Sequence, residues 1–270
     1  MDKQFLEVSG IRLAYFDTGG GGPVILFVHG NSSAAQTFSR QLASDLAETY
    51  RLVAVELPGH GESGRVPVSD YGVPFYAKRV AAFASALGID DAILVGWSLG
   101  GHIALECTDI MPKVPGVLIY GTPPLRRPPN LDEAFLPNPL FAVGMTGILT
   151  QEQVAAYARS FLGDKSNPAL EAEFVEEIRS TDPNAREGLA KSVSGTYLDE
   201  VELVADMARP LAILHGRQEQ LVSLEYIEAL TMPTLWRGAV QLIDDAGHSP
   251  HVETTQVFNG LVGAFAGELS

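Results

Sequence analysis

Short apolar runs alternate with helix-length stretches along most of this 270-residue chain, and this alternation restricts the possible fold more than any other feature. Six of the runs are rich in β-branched residues and are bounded by glycine, proline or charged residues. They are Val24 to Val28, Leu52 to Val55, Ala92 to Val95, Val117 to Tyr120, Leu211 to Leu214 and Val240 to Ile243. Continuous runs of this length are typical of parallel strands buried on both faces. The sequence therefore predicts an α/β fold with a mostly parallel, doubly wound sheet.

Further elements complete the predicted sheet and its covering layers. Phe5 to Val8 and Arg12 to Phe16 lie on either side of Ser9-Gly10, which predicts an antiparallel hairpin at the start of the chain. The predicted helices are Ala34 to Glu48, Val73 to Leu87, Gly100 to Asp109, Leu224 to Leu230 and Thr254 to Leu269. The sheet should therefore be mixed, with an antiparallel edge.

The alternation breaks once, between residues 123 and 206. This segment begins with many prolines and then becomes helical. Thr150 and Gln153 form a capping box, while Asn167-Pro168 and Asp182-Pro183 each combine an N-cap residue with proline at the first helical position. We predict a helical cap at 123–206, inserted into a core built from 1–122 and 207–270. The alternative is an ordinary run of surface helices.

The composition limits the partners of the protein. Acidic residues outnumber basic ones by 33 to 18, so the formal net charge of −15 repels nucleic acid and anionic membranes. No segment has the roughly 18 consecutive apolar residues that a membrane span needs. The single cysteine, Cys107, cannot form an internal disulfide. We therefore expect a cytoplasmic protein that acts on a small molecule, without a nucleic-acid or membrane partner.

A possible nucleophile follows the third apolar run. Gly96-Trp97-Ser98-Leu99-Gly100 fits the pattern G-x-S-x-G and lies between a predicted strand and a predicted helix. In this context the serine occupies a strained strand-to-helix turn, where glycines on both sides let backbone segments approach closely. We predict that Ser98 is a nucleophile and that Trp97 contacts the substrate.

A serine nucleophile needs a neighbouring base, and the chain has six histidines. His248 follows the last predicted strand through a short loop, where the third member of a serine, acid, histidine order belongs. His251 lies on the same loop and remains an alternative. The other four, at positions 29, 60, 102 and 215, fall in turns, on a helix or at a strand end and are interpreted as structural.

The acid that orients the histidine should follow a strand between Ser98 and His248 in the sequence. Glu219 meets this requirement, since it comes shortly after Leu211 to Leu214. Such a carboxylate fixes the imidazole tautomer and stabilises the imidazolium. The alternatives are Asp199, Asp206 and Glu225.

The developing oxyanion also needs hydrogen-bond donors. Two backbone amides are expected to provide them. One is that of Leu99, after the nucleophile, and the other is that of Asn31, in the loop after Val24 to Val28. A purely structural turn at this loop is the alternative.

Several motifs together resemble the α/β-hydrolase superfamily along nearly the whole chain. They are His29-Gly30-Asn31-Ser32-Ser33, Leu57 to Ser63, Gly96 to His102 and Asp245 to His248. With Gly121 to Pro124, Tyr157 to Ser160 and Gly216 to Glu219, they more narrowly resemble the α/β-hydrolase type of N-acyl-homoserine lactone lactonase. The resemblance implies an α/β-hydrolase fold, the roles given above for Ser98, Glu219, His248 and Asn31, and a Tyr157 that reaches from the cap toward the lactone. The sequence departs from the family at Gln218 and Gln220, where an acidic residue and a proline are usual.

The expected activity is therefore metal-independent and cofactor-independent lactone ring opening, which would make the protein a quorum-quenching enzyme. The metal-binding H-x-H-x-D-H run of the other lactonase fold is absent from the sequence. His248 and His251 could form a metal pair, but no third ligand cluster accompanies them. A carboxylesterase with the same three residues is one alternative. A slow-turnover ligand receptor on a hydrolase scaffold is another.

Overall fold

A mixed eight-stranded sheet forms the centre of the molecule in a computed structural model that describes residues 1–165, 167–193, 195 and 197–269. The strands are β1 Gln4–Val8, β2 Ile11–Asp17, β3 Val24–Val28, β4 Arg51–Val55, β5 Ile93–Trp97, β6 Val117–Tyr120, β7 Leu211–Gly216 and β8 Gln241–Ile243. Their order is β1-β2-β4-β3-β5-β6-β7-β8. The β1–β2 and β2–β4 pairs are antiparallel and the others are parallel. The predicted α/β fold, its mostly parallel sheet and its antiparallel first hairpin are confirmed.

Helices cover both sides of this sheet. They are α1 Ser39–Leu42, α2 Leu46–Thr49, α3 Val73–Leu87, α4 Leu99–Ile110, α5 Leu131–Ala134, α6 Leu140–Val143, α7 Gln151–Ser160, α8 Pro168–Ser180, α9 Pro183–Ser192, α10 Glu200–Asp206, α11 Leu224–Glu228, α12 Pro250–Glu253 and α13 Thr255–Gly267. Single 3₁₀ turns occur at Ala35–Phe38 and Trp236–Gly238. Because α3, α4 and α13 bury apolar faces against the sheet, β5 and β6 lie wholly inside the core. In the part of the chain that is described, no helix combines the length and apolar character of a membrane span.

The single helix predicted over Ala34 to Glu48 is wrong. The structure has a 3₁₀ turn and two four-residue helices there. The Ser44 hydroxyl donates to the Gln41 carbonyl oxygen at 2.7 Å and accepts from the Leu46 amide at 3.4 Å. Short polar side chains compete in this way with helical hydrogen bonds, which explains the break between α1 and α2.

Helices α5 to α10 all lie between β6 and β7, in the segment where the alternation breaks. The predicted caps are confirmed. Thr150 and Gln153 form a capping box, Asn167 accepts from the Leu170 amide, and Asp182 accepts from the Asn184 amide. The segment is therefore helical, and its division from the core at residues 123 and 206 stays a prediction.

The carboxyl ends of three parallel strands position the candidate site. Ser98 follows β5 directly, Glu219 follows β7, and His248 follows β8. Because these strand ends meet at the same edge of the sheet, residues far apart in sequence come together there.

Candidate active site

Ser98 occupies a strained backbone turn between β5 and α4. Its φ of 53° and ψ of −119° lie outside the regions that non-glycine residues usually adopt. Gly96 and Gly100 permit this turn. A Cβ atom on Gly100 would collide with the Val28 carbonyl oxygen, and one on Gly96 would collide with the backbone of Gly100. The turn therefore presents the Ser98 side chain at the start of α4, as the G-x-S-x-G pattern requires.

Glu219 and His248 form a buried pair beside this turn. The Nδ1 atom of His248 lies 2.7 Å from Oε2 of Glu219, and the two side chains are only 3% and 2% exposed. The Leu221 amide donates to the other carboxylate oxygen at 2.8 Å. Burial acts to raise the pKa of Glu219, but His248 and the hydrogen bonds outweigh it and lower that pKa. The carboxylate stays ionised, so Nδ1 of His248 carries a proton and Nε2 is left to accept one.

Trp97 contacts His248 through a hydrogen bond and through its ring. Its indole Nε1 donates to the His248 carbonyl oxygen at 2.8 Å, and the two rings lie 5.7 Å apart. The Trp97 side chain is 1% exposed and does not belong to the lining of the cavity described next, and its substrate contact stays a prediction. Trp97 is the last residue of β5, and its ring packs into the core.

A cavity of about 120 Å³ lies between the strand ends and the helical segment. Five of the predicted site residues line it: Asn31, Ser98, Leu99, Tyr157 and His248. Glu219 lies behind His248. Most of the wall is apolar and comes largely from the segment between β6 and β7, including Leu125, Phe135, Phe141, Met145 and Phe161. The site therefore combines a few convergent polar groups with an apolar chamber, as small-molecule sites usually do.

The backbone amides of Asn31 and Leu99 are unused by the protein itself. Neither donates a hydrogen bond to any other residue in the described part of the chain. The Asn31 side chain, in contrast, is engaged, since its Nδ2 atom donates to the Gly144 carbonyl oxygen at 2.7 Å. That bond joins the loop after β3 to the helical segment. Two amide donors next to Ser98 are thus available for an anionic oxygen.

Tyr157 of α7 also reaches the cavity. Its side chain is 5% exposed and lines the cavity together with Asn31. Burial raises the pKa of Tyr157 far above its ordinary value. The phenol therefore stays protonated across the range in which proteins are active.

A family model described as the alpha/beta hydrolase family matches residues 25–261. This chain belongs to the alpha/beta hydrolase family. It is 27% identical over 96% of its length to 2-hydroxymuconate semialdehyde hydrolase from Pseudomonas sp. strain CF600, covering 92% of that protein. It is 28% identical over 87% of its length to a pimeloyl-[acyl-carrier protein] methyl ester esterase from Stenotrophomonas maltophilia strain K279a, covering 90% of that protein.

Among solved structures, this hydrolase is similar to the N-acyl homoserine lactonase AidH. The TM-score is 0.93 at 32% identity, with coverage of 100% of this chain and 99% of the other. The predicted resemblance to the lactonases is confirmed. Together with the esterase and hydrolase relatives, it identifies the protein as an enzyme that hydrolyses ester bonds.

The alternative base lies away from the cavity of this hydrolase. His251 is fully buried, and its Nε2 atom lies 2.9 Å from the Thr37 hydroxyl. Burial lowers the pKa of His251 well below its ordinary value. Among the described residues, no group of three or more His, Cys, Asp or Glu side chains has the arrangement of a metal site.

The alternative acids have other positions. Asp199 is the N-cap of α10 and accepts from the Glu202 amide at 3.0 Å. Asp206 and Glu225 are exposed on helices. The His248 ring is bonded to Glu219 and to none of these three.

Sequence reasoning missed one polar pair in the cavity of this hydrolase, His102 with Glu200. From its position on the predicted helix, the sequence favours a structural role for His102. Its spacing of four residues from Ser98 was the available signal, because residues i and i+4 lie on the same face of a helix. Nothing in the sequence identified Glu200 as its partner.

Proposed function

We propose that this hydrolase opens the lactone ring of N-acyl homoserine lactones through an acyl-enzyme formed on Ser98. The observation that carries the proposal is the similarity to AidH over the whole of both chains. Structures of that lactonase include complexes with N-hexanoyl homoserine lactone and with N-butanoyl homoserine. The Glu219–His248 pair supports the same chemistry, because His248 lines the same cavity as Ser98.

In the proposed first step, His248 takes the Ser98 proton on Nε2 as the Ser98 oxygen attacks the lactone carbonyl carbon. Glu219 holds the imidazole in the tautomer that accepts this proton and stabilises the resulting imidazolium. The amides of Asn31 and Leu99 donate to the carbonyl oxygen as it becomes anionic. Each such donor contributes roughly 2.7–4 kcal/mol of transition-state stabilisation.

The tetrahedral intermediate then breaks the ring carbon–oxygen bond. His248 returns its proton to the ring oxygen, which becomes the homoserine hydroxyl. This hydroxyl remains part of the acyl group that is esterified to Ser98. Water, activated by His248, next attacks the ester carbon and releases Ser98. The product is N-acyl homoserine, with its amide bond intact.

The mostly apolar cavity walls favour an uncharged substrate with an acyl chain. Their apolar side chains, including those of Phe135, Phe141 and Met145, would bury the acyl chain. Each methylene that leaves water contributes about 0.8 kcal/mol. A neutral ligand is little affected by the net charge of −15. We propose that the helical segment 123–206 acts as the cap over this chamber, that Tyr157 contacts the lactone, and that the enzyme works in the cytoplasm as a quorum-quenching lactonase.

A carboxylesterase for open-chain esters is the second candidate. The 28% identity to a methyl ester esterase over 87% of the chain favours it. The Ser98, His248 and Glu219 chemistry is the same for a cyclic and an open ester, so only the substrate separates the two functions.

Product mass separates the candidates. The purified protein is incubated with a series of N-acyl homoserine lactones and, separately, with short p-nitrophenyl esters. The proposal predicts a product heavier than the lactone by one water with the acyl amide intact. Free fatty acid would indicate an acylase instead. Rapid p-nitrophenyl ester cleavage with every lactone left intact would assign the enzyme to the carboxylesterases.

A further inference from the structure

A second imidazole–carboxylate pair lines the same cavity as Ser98. Nδ1 of His102 lies 2.9 and 2.8 Å from the two carboxylate oxygens of Glu200, and both residues belong to the cavity lining. The side chains are 13% and 3% exposed. His102 lies on α4 and its backbone amide contacts the Ser98 carbonyl oxygen at 3.5 Å. The pair is therefore about one helical turn from the nucleophile.

Glu200 is held in place independently of any ligand. The Leu125 amide donates to its Oε2 atom at 2.8 Å, and the Glu200 amide donates back to the Leu125 carbonyl oxygen at 2.8 Å. Asp199 caps the same helix terminus. The carboxylate thus has a fixed position at the start of α10, and it fixes the orientation of the His102 ring.

One polar atom of that ring remains without a partner. With Nδ1 committed to Glu200, the Nε2 atom of His102 makes no hydrogen bond to any other described residue. A neutral imidazole that donates from Nδ1 presents an acceptor at Nε2. Because the side chain is partly exposed and lines the cavity, this acceptor is accessible to a donor on a bound ligand. The cavity therefore provides a site for one N–H or O–H group close to Ser98.

The proposed substrate carries such a donor next to its reacting carbon. The scissile carbon of an N-acyl homoserine lactone would be bonded to Ser98, and its amide nitrogen is two bonds away from that carbon. One helical turn, about 5.4 Å, separates Ser98 from His102 along α4. The amide N–H is the only hydrogen-bond donor of a simple N-acyl homoserine lactone, so it is the group of this substrate that can meet an acceptor on the cavity wall.

We propose that His102, positioned by Glu200, accepts a hydrogen bond from the amide N–H of the substrate and selects lactones with an acylamino group next to the carbonyl. This inference rests on the proposed lactonase function and adds a specificity-determining residue to it. His102 contacts substrate, whereas Glu200 is a positioning residue. The Glu219–His248 pair carries out the proton transfer, and the Glu200–His102 pair recognises the amide.

The test compares N-hexanoyl homoserine lactone with its ester analogue, α-hexanoyloxy-γ-butyrolactone, in which oxygen replaces the N–H. The ratio of the two kcat/KM values for ring opening, measured by product mass, does not depend on how much of a variant is folded. We expect the wild type to prefer the amide by about tenfold, since one well-placed hydrogen bond has about that effect. His102→Leu should bring the ratio close to one, and His102→Gln, which keeps an acceptor, should restore part of it.

The positioning role of Glu200 has its own readout. Glu200→Gln should lower the preference for the amide less than His102→Leu does. In Glu200→Gln the imidazole of His102 is still present but is less well oriented, whereas in His102→Leu it is absent. An unchanged preference in His102→Leu would overturn the inference while leaving the lactonase proposal intact. If neither lactone is opened although p-nitrophenyl esters are cleaved, the proposed function and this inference both fail, and the ester activity identifies that case.

Discussion

Replacement of Glu219 by glutamine is expected to lower the hydrolysis rate by about 10⁴. The two oxygens of Glu219 accept from two donors, Nδ1 of His248 at 2.7 Å and the Leu221 amide at 2.8 Å. A glutamine amide has only one oxygen, so its NH₂ group must face one of these donors. Facing His248, it forces the wrong imidazole tautomer. Facing Leu221, it places two donors together in a site that excludes water.

A loss of this size corresponds to about 5.4 kcal/mol of activation free energy, since each tenfold in rate is about 1.36 kcal/mol. The assay is kcat/KM with both a p-nitrophenyl ester and a lactone, with folding checked by circular dichroism. Glu225→Gln is the matched control, because Glu225 is exposed on α11 and should change the rate less than about twofold. Retention of more than about a tenth of the activity in Glu219→Gln, or an equal loss in Glu225→Gln, would refute the assignment of the acid.

Three further predictions concern stability, chain length and metals. Burial raises the pKa of Glu177 to about 8, so wild-type stability should fall as the pH rises from 4.5 to about 8. Glu177→Gln should therefore gain in Tm relative to wild type over that window, and a constant difference would contradict this. The kcat/KM for acyl lactones should rise about fourfold per methylene and then level off when the cavity is full; a flat series would argue against an acyl chamber. Activity should survive EDTA, because Ser98, His248 and Glu219 supply the proposed chemistry; loss to EDTA with rescue by zinc would contradict it.

The parts of the fold that could be predicted from sequence are those with local signals. The buried strands appear as continuous apolar runs because both of their faces are covered, and β3 Val24–Val28 begins and ends at the predicted residues. The same holds for the capping box at Thr150, whose two hydrogen bonds join residues three positions apart. The strand-to-helix turn at Ser98 is equally local. These features need no knowledge of distant contacts.

The remaining features depend on contacts between distant residues. Residues 34 to 48 have the composition of one helix, but hydrogen bonds of Ser44 divide the segment into short turns. Trp97 lies beside Ser98 in sequence, yet the pleat of β5 sends its ring into the core, where it supports His248. The His102–Glu200 pair joins residues 98 positions apart, and no local pattern predicts it.

Comparing ring opening of N-hexanoyl homoserine lactone by the wild type and by Ser98→Ala tests whether this enzyme is a lactonase with Ser98 as its nucleophile. The reaction is followed by liquid chromatography and mass spectrometry, with circular dichroism to show that the variant is folded. We predict conversion to N-hexanoyl homoserine by the wild type and a rate lower by on the order of 10⁶ in Ser98→Ala. A variant that keeps more than about a thousandth of the wild-type rate, or a wild type that leaves the lactone intact, would contradict this prediction.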